Sequence, residues 1–174
     1  MSKIPYDLSK VRGIVFDVDG VLSPSCIPLG NDGMPCRMVN IKDGYAIQLA
    51  VKQGLKIAII TGGVSEAVRT RFQGLGVNDI YMGKAVKIDI LTRWMADNNL
   101  NSDEVIYVGD DIPDYVCMRH VGLAVAPRDA AVDIKSVAGY ISPVDGGHGV
   151  ARDILEEVLK AKGLWMNDEK AFGW

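Results

Sequence analysis

The 174-residue sequence predicts an α/β protein built on a doubly wound parallel sheet. Three observations predict it. Short, almost wholly apolar runs recur along the chain, as expected of strands covered on both faces. Segments with apolar residues at helical spacing separate them, so strands alternate with helices joined by right-handed crossovers. Polar, glycine-containing segments follow several of the runs, where an open α/β sheet binds its ligands.

In chain order, residues 11–16 read as the first buried strand. Residues 27–39 then break the alternation: Asn31-Asp32-Gly33 is a strong turn signal between two short apolar runs, and a β-hairpin is expected over about 26–40. A helix and the strand 55–60 follow. Val68, Phe72 and Leu75 mark the next helix, 80–82 a short third strand, and Ile88, Leu91 and Met95 another helix. Strands are expected at 105–108, 123–125 and 140–141. Ile154, Leu155, Val158 and Leu159 stripe a last helix over about 149–162. The tail, about 165–174, has no period, and its tryptophans are expected to pack on this subunit or a neighbour.

Length and composition fit one domain over residues 1–174, with 48% hydrophobic and 24% charged residues. The net charge of −3 argues against a general nucleic-acid binder. Three cysteines without a CxxC pair and only two histidines argue against zinc and suit reduced thiols. No apolar run approaches the ~20 residues of a membrane span, and the first residues lack the apolar core of a signal peptide. A cytoplasmic protein without membrane partners is expected.

The strand ends carry the chemistry. Asp17-Val18-Asp19-Gly20 follows the first strand, Thr61-Gly62-Gly63 the second, Lys84 and Lys87 the third, and Gly109-Asp110-Asp111 with Asp114 the fourth. Clustered carboxylates repel one another unless a cation sits among them, and magnesium prefers such oxygen ligands together with phosphate and water. Residues i and i+2 of an extended segment point the same way, so Asp17 and Asp19 can flank one phosphorus. One carboxylate can attack it while the other transfers protons. The Thr61 hydroxyl, the following backbone N–H groups and a lysine can hold the phosphoryl oxygens. Asp-Val-Asp-Gly taken alone also suits a calcium loop, but the EF-hand pattern needs further acidic positions and a Glu at its end, and the next residues, Val21 and Leu22, do not fit it.

DVDGVL (17–22), IITGG (59–63), Lys87 and GDDIPD (109–114) resemble the four motifs of the haloacid dehalogenase superfamily. The resemblance implies a Rossmann-like fold, Asp17 as nucleophile, Asp19 as acid/base and Thr61 as phosphate binder, with Gly62 beside it. It implies Lys87, rather than Lys84, as the motif lysine. It implies Mg2+ held by Asp17, the Asp19 main-chain carbonyl and Asp110, with Asp111 in support. Dehalogenases of the superfamily lack the second motif aspartate, so Asp19 favours a phosphatase or mutase. Only 43 residues separate Asp17 from Thr61 and 25 separate Thr61 from Lys87, which leaves no room for a cap domain.

Residues 40–45 (NIKDGY) and 145–153 (DGGHGVARD) are similar to segments of the 3-deoxy-D-manno-octulosonate 8-phosphate phosphatase family. That resemblance implies a homotetramer in which the hairpin helps close an adjoining site. It also implies contacts to a small phosphorylated sugar acid from Asn40, Ile41, Lys42, Asp43, Gly44, Gln48 and Arg71, and a role in lipopolysaccharide precursor synthesis. Lys42 and Gly63 stand where many members carry Arg, and each replacement removes a bidentate guanidinium. A phosphatase of a nine-carbon keto-deoxy sugar acid 9-phosphate or of another small phosphometabolite is the rival reading. A non-catalytic binding subunit of the same fold is a further one. The glycine-rich 146–147 segment suits either a plain loop or a mobile flap.

Overall fold

The computed structural model describes residues 2–173. Six strands, β1 (Gly13–Phe16), β2 (Lys56–Ile60), β3 (Asp79–Tyr81), β4 (Val105–Val108), β5 (Leu123–Ala126) and β6 (Tyr140–Ile141), form one sheet in the order β3-β2-β1-β4-β5-β6. Every neighbouring pair is parallel. The helices are α1 (Ile41–Lys52), α2 (Glu66–Gln73), α3 (Ile88–Asp97), α4 (Tyr115–Met118), α5 (Val132–Val137) and α6 (Val150–Ala161).

Both faces of the sheet are covered, as the continuous apolar strands require. Ile14, Phe16, Ile57, Ile59, Ile106 and Val108 point into a core shared with α1, α2 and α6. The alternate residues Val15, Ala58, Ile60 and Tyr107 pack in a second core with α3, α4 and α5. This is the doubly wound, Rossmann-like arrangement, with no inserted cap between its strands. Asn40 caps α1 by accepting from the backbone N–H groups of Lys42 and Asp43, and Ser65 caps α2 through Val68.

The hairpin is smaller than its turn signal suggests. Gly33 N–H donates to Gly30, Gly30 N–H to Met34 and Cys36 N–H to Pro28, and one antiparallel bridge joins Leu29 to Pro35. No ladder extends from it, because Pro28 and Pro35 remove a donor from each arm. In the tail, Trp165 packs on its own subunit: its ring meets Tyr45 edge to face at 6.0 Å, and the Arg152 guanidinium sits 4.6 Å from its centre. Tyr45 also donates to the Ala171 carbonyl, and Ala171 is buried. Trp174, the other tail tryptophan, lies outside the described residues. Among the described residues no helix is long and apolar enough to cross a membrane.

Candidate active site

β1 and β4 are neighbours at the centre of the sheet, and the connections leaving them run to opposite sides. The crevice at such a switch point lies beyond the carboxyl ends of the strands. Asp17 is the first residue past β1 and still donates its N–H to Val108 of β4, at 3.1 Å. The chain then folds into a tight loop in which Leu22 and Ser23 N–H groups donate to Val18 and Gly20 N–H donates to Ser23. Gly20 adopts φ +83, and a Cβ there would overlap the Asp110 carboxylate. Glycine thus lets the loop after β1 and the acid after β4 come together.

Asp17, Asp19, Thr61, Gly62, Gly63, Lys84, Lys87, Asp110 and Asp111 line one cavity of about 470 Å³, joined by Ser25, Ala85 and Pro113. Thr61 is buried at the end of β2, and its hydroxyl accepts from Gly63 N–H at 3.3 Å. Lys87 opens α3 and is only 3% exposed. Its ammonium lies 2.8 Å from Asp114 Oδ1 and 3.0 Å from Asp17 Oδ1. Lys84 is exposed at the cavity wall, and its backbone N–H donates to the Thr61 carbonyl at 3.3 Å.

The acids after β4 divide between the surface and the core. Asp111 is exposed and begins the turn Ile112–Asp114, whereas Asp114 is fully buried. Asp114 Oδ1 accepts from Lys87 and from the Tyr107 hydroxyl, both at 2.8 Å, and Oδ2 accepts from Asp110 N–H. Asp114, named at the strand end without a role, and Tyr107, which the strand-end reading did not name, are parts of the site.

The electrostatics are those of crowded acids. Burial raises the Asp17 carboxyl above the usual range, Asp114 adds to the rise, and Lys87 pulls against it. Asp110 is pushed up to about 8 by burial and by Asp17, Asp114 and Asp111. Burial works to lower Lys87, but Asp114 and Asp17 outweigh it and hold the ammonium charged. One oxygen each of Asp17, Asp110 and Asp114 lies within 4.8 Å of the others. Asp114 is already saturated by three donors. Asp17 Oδ1 is buried with the Lys87 ammonium 3.0 Å away and no other donor on it among the described residues. A buried carboxylate oxygen with a single ion-pair partner, beside a second crowded carboxyl, fits a divalent cation.

Arg37, from the hairpin arm, carries no motif signal in the sequence. It grips both oxygens of Asp19 at 2.8 Å. Asn40, Ile41, Lys42, Asp43, Gly44, Gln48 and Arg71 stand apart from the cavity, on α1 and its N-cap and, for Arg71, on α2. Asn40 there donates to the Gly147 carbonyl, Asp43 accepts from Arg152 N–H at 2.6 Å, and Arg71 Nη2 is buried beside Gly44 without a partner. The 145–149 segment is fastened rather than loose: Gly146 N–H donates to Asp129 and Gly147 N–H to Val21.

Residues 64–154 match the family of haloacid dehalogenase-like hydrolases. The 3-deoxy-D-manno-octulosonate 8-phosphate phosphatase of Escherichia coli is 35% identical over 153 residues, which cover 88% of this chain and 81% of that protein. The crystal structure of the Yersinia pestis enzyme of the same name superposes with a TM-score of 0.87 at 32% identity, covering 91% of this chain and 85% of that one. The Moraxella catarrhalis enzyme, solved with magnesium, phosphate and the sugar acid, gives 0.85 at 29% identity over 90% of each chain. The chain belongs to the haloacid dehalogenase-like hydrolases and, within them, to the family of the 3-deoxy-D-manno-octulosonate 8-phosphate phosphatases.

Proposed function

We propose that this enzyme removes phosphate from 3-deoxy-D-manno-octulosonate 8-phosphate or a close keto-deoxy sugar-acid analogue, through an aspartyl-phosphate on Asp17. The observation that carries the chemistry is the convergence of Asp17, Thr61, Lys87 and Asp110 on one buried strand-end site. The relatives' names supply the sugar acid.

In this reading an Asp17 carboxylate oxygen attacks phosphorus as the ester P–O bond breaks. Asp19 gives a proton to the departing alkoxide. Asp19 then takes a proton from water, whose oxygen attacks the aspartyl-phosphate and releases inorganic phosphate, restoring Asp17. Thr61, the Gly62 and Gly63 N–H groups and Lys87 hold the phosphoryl oxygens, and Lys87 is fixed for that task by Asp114. Asp17, Asp110 and the Asp19 main-chain carbonyl would hold Mg2+, with Asp111 near. When bound, the ion supplies charge neutralisation for the nucleophile and the phosphoryl group.

The same reading makes the protein a homotetramer. It is supported by exposed apolar side chains gathered on and beside the hairpin, namely Leu29, Met34, Met38, Val39 and Ile41. The hairpin of a neighbouring subunit is the source of lid that a site without a cap requires, and Asn40–Gly44, Gln48 and Arg71 would contact the sugar acid. Steady-state phosphate release over a panel of sugar phosphates, with and without magnesium, tests the assignment. A clear preference for the eight-carbon sugar acid supports it, and uniformly poor turnover overturns it.

A further inference from the structure

The Arg37 side chain is 8% exposed although it comes from the hairpin arm. Its neighbours are tied on both sides: Cys36 N–H donates to Pro28, and Met38 N–H donates to the Ser23 hydroxyl at 3.1 Å. The guanidinium reaches across to Asp19, with Nε on Oδ1 and Nη2 on Oδ2. It has room because residue 63 carries no side chain. A Cβ on Gly63 would overlap Arg37 Nη2 and would lie 3.3 Å from Asp19 Oδ2. Hairpin, β1 loop and β2 loop therefore meet at one point of the cavity rim, and the cation there comes from the hairpin.

This geometry bears on when Asp19 can act. A carboxyl that hands a proton to a leaving oxygen, and then takes one from water, needs an oxygen directed at the reacting group. Both Asp19 oxygens are instead occupied by one guanidinium fork. No further protein partner of that guanidinium is present among the described residues. The fork matches any carboxylate or phosphate equally well, so an oxyanion on the substrate can replace Asp19 without leaving a buried cation unpaired.

We propose that Arg37 selects phosphomonoesters that carry a second anionic group, a carboxylate, which takes the guanidinium from Asp19 and frees that residue for proton transfer. This rests on the phosphatase reading above and assigns the residue that reads the carboxylate of its substrate. The shared chemistry is an oxyanion, and the seated phosphoryl group is the other one available. A matched pair of substrates separates the two.

The test compares kcat/KM for a keto-deoxy sugar-acid phosphate and for a sugar phosphate of similar length without the carboxylate, in magnesium. Wild type should prefer the carboxylated substrate. Arg37→Ala should cut that preference by roughly tenfold to a hundredfold, the range for a lost charged hydrogen bond. The loss should fall mainly on KM of the carboxylated substrate. Arg37→Lys, which keeps the charge but not the fork, should fall between. Gly63→Ala should also reduce the preference by displacing the guanidinium, and should add little to Arg37→Ala in the double variant. It carries the test even if Arg37→Ala folds poorly. Equal losses on both substrates, as from a structural role or from phosphate as the partner, overturn the proposal. So does a preference that survives in both single variants. Wild-type enzyme that hydrolyses neither substrate overturns the phosphatase reading itself.

Discussion

The ammonium of Lys87 sits 2.8 Å from Asp114 Oδ1, and both groups are closed off from solvent. A second donor, the Tyr107 hydroxyl, meets the same oxygen at 2.8 Å. Asp114 therefore fixes the lysine's position while leaving its charge shared with Asp17. Removing one member of a buried pair strands the other, which costs about 3–5 kcal/mol. Asp114→Ala is expected to lose that much in urea unfolding with an unchanged denaturant slope. A loss under about 1 kcal/mol would show that the pair does not organise the site.

Asp17→Asn keeps the shape of the proposed nucleophile and removes its charge. Turnover should vanish while the melting temperature holds or rises, because the substitution also removes one of several repelling acids. Asp19→Asn should leave binding of phosphate intact and slow turnover by about 10²–10⁴-fold, the usual worth of a positioned acid–base group. Retained magnesium-dependent turnover in Asp17→Asn would refute the nucleophile assignment.

Much of this is legible in the amino-acid sequence. The strands stand out as apolar runs, and residues 105–108 and 140–141 form strands where expected. The rule that ligands sit past strand ends then finds Asp17, Asp19, Thr61, Lys87 and Asp110. What escapes it is decided by short or distant geometry. The four residues of α4 and the six of α5 are too few to display a helical period. Asp111 and Asp114 look alike in the sequence, and only the turn through Pro113 sends one outward and the other into the core. Arg37 lies eighteen residues from Asp19 in a segment without periodicity. No spacing rule links the two, although the glycine at 63 is visible as an unfilled position.

Crowding among Asp17, Asp110 and Asp114 means that the magnesium ion proposed for this site should stabilise the fold as well as serve the reaction. At about a hundredfold above its Kd, a bound ion should raise stability by about 2.7 kcal/mol. Thermal melts of metal-free wild type should shift upward as magnesium is added. Asp110→Asn should melt higher than wild type without metal, since it removes a carboxyl that burial and its neighbours hold at about 8. It should then fail to respond to the ion. A full magnesium shift in Asp110→Asn would place the metal elsewhere.

Asp43 offers a pH signature away from the catalytic acids. It occupies the first turn of α1, is 2% exposed, and accepts from Arg152 N–H at the start of α6. Its other oxygen is buried without a partner. Burial pushes its carboxyl up to about 6, against the pull of the Arg152 N–H and of the Arg152 charge. The unfolded chain ionises this group near the ordinary aspartate value of ~3.9, so between that pH and about 6 the folded state binds more protons. Stability must therefore fall as pH rises through that window and level off above it, by roughly 2–3 kcal/mol in total at one unit per 1.36 kcal/mol. Asp43→Asn cannot ionise and still presents an oxygen to Arg152 N–H. The difference in unfolding free energy between wild type and Asp43→Asn should shift in favour of the variant from pH 4 to pH 6. A difference that stays constant across those pH values would mean that Asp43 is not held above its ordinary range, and that the junction between α1 and α6 tolerates its charge.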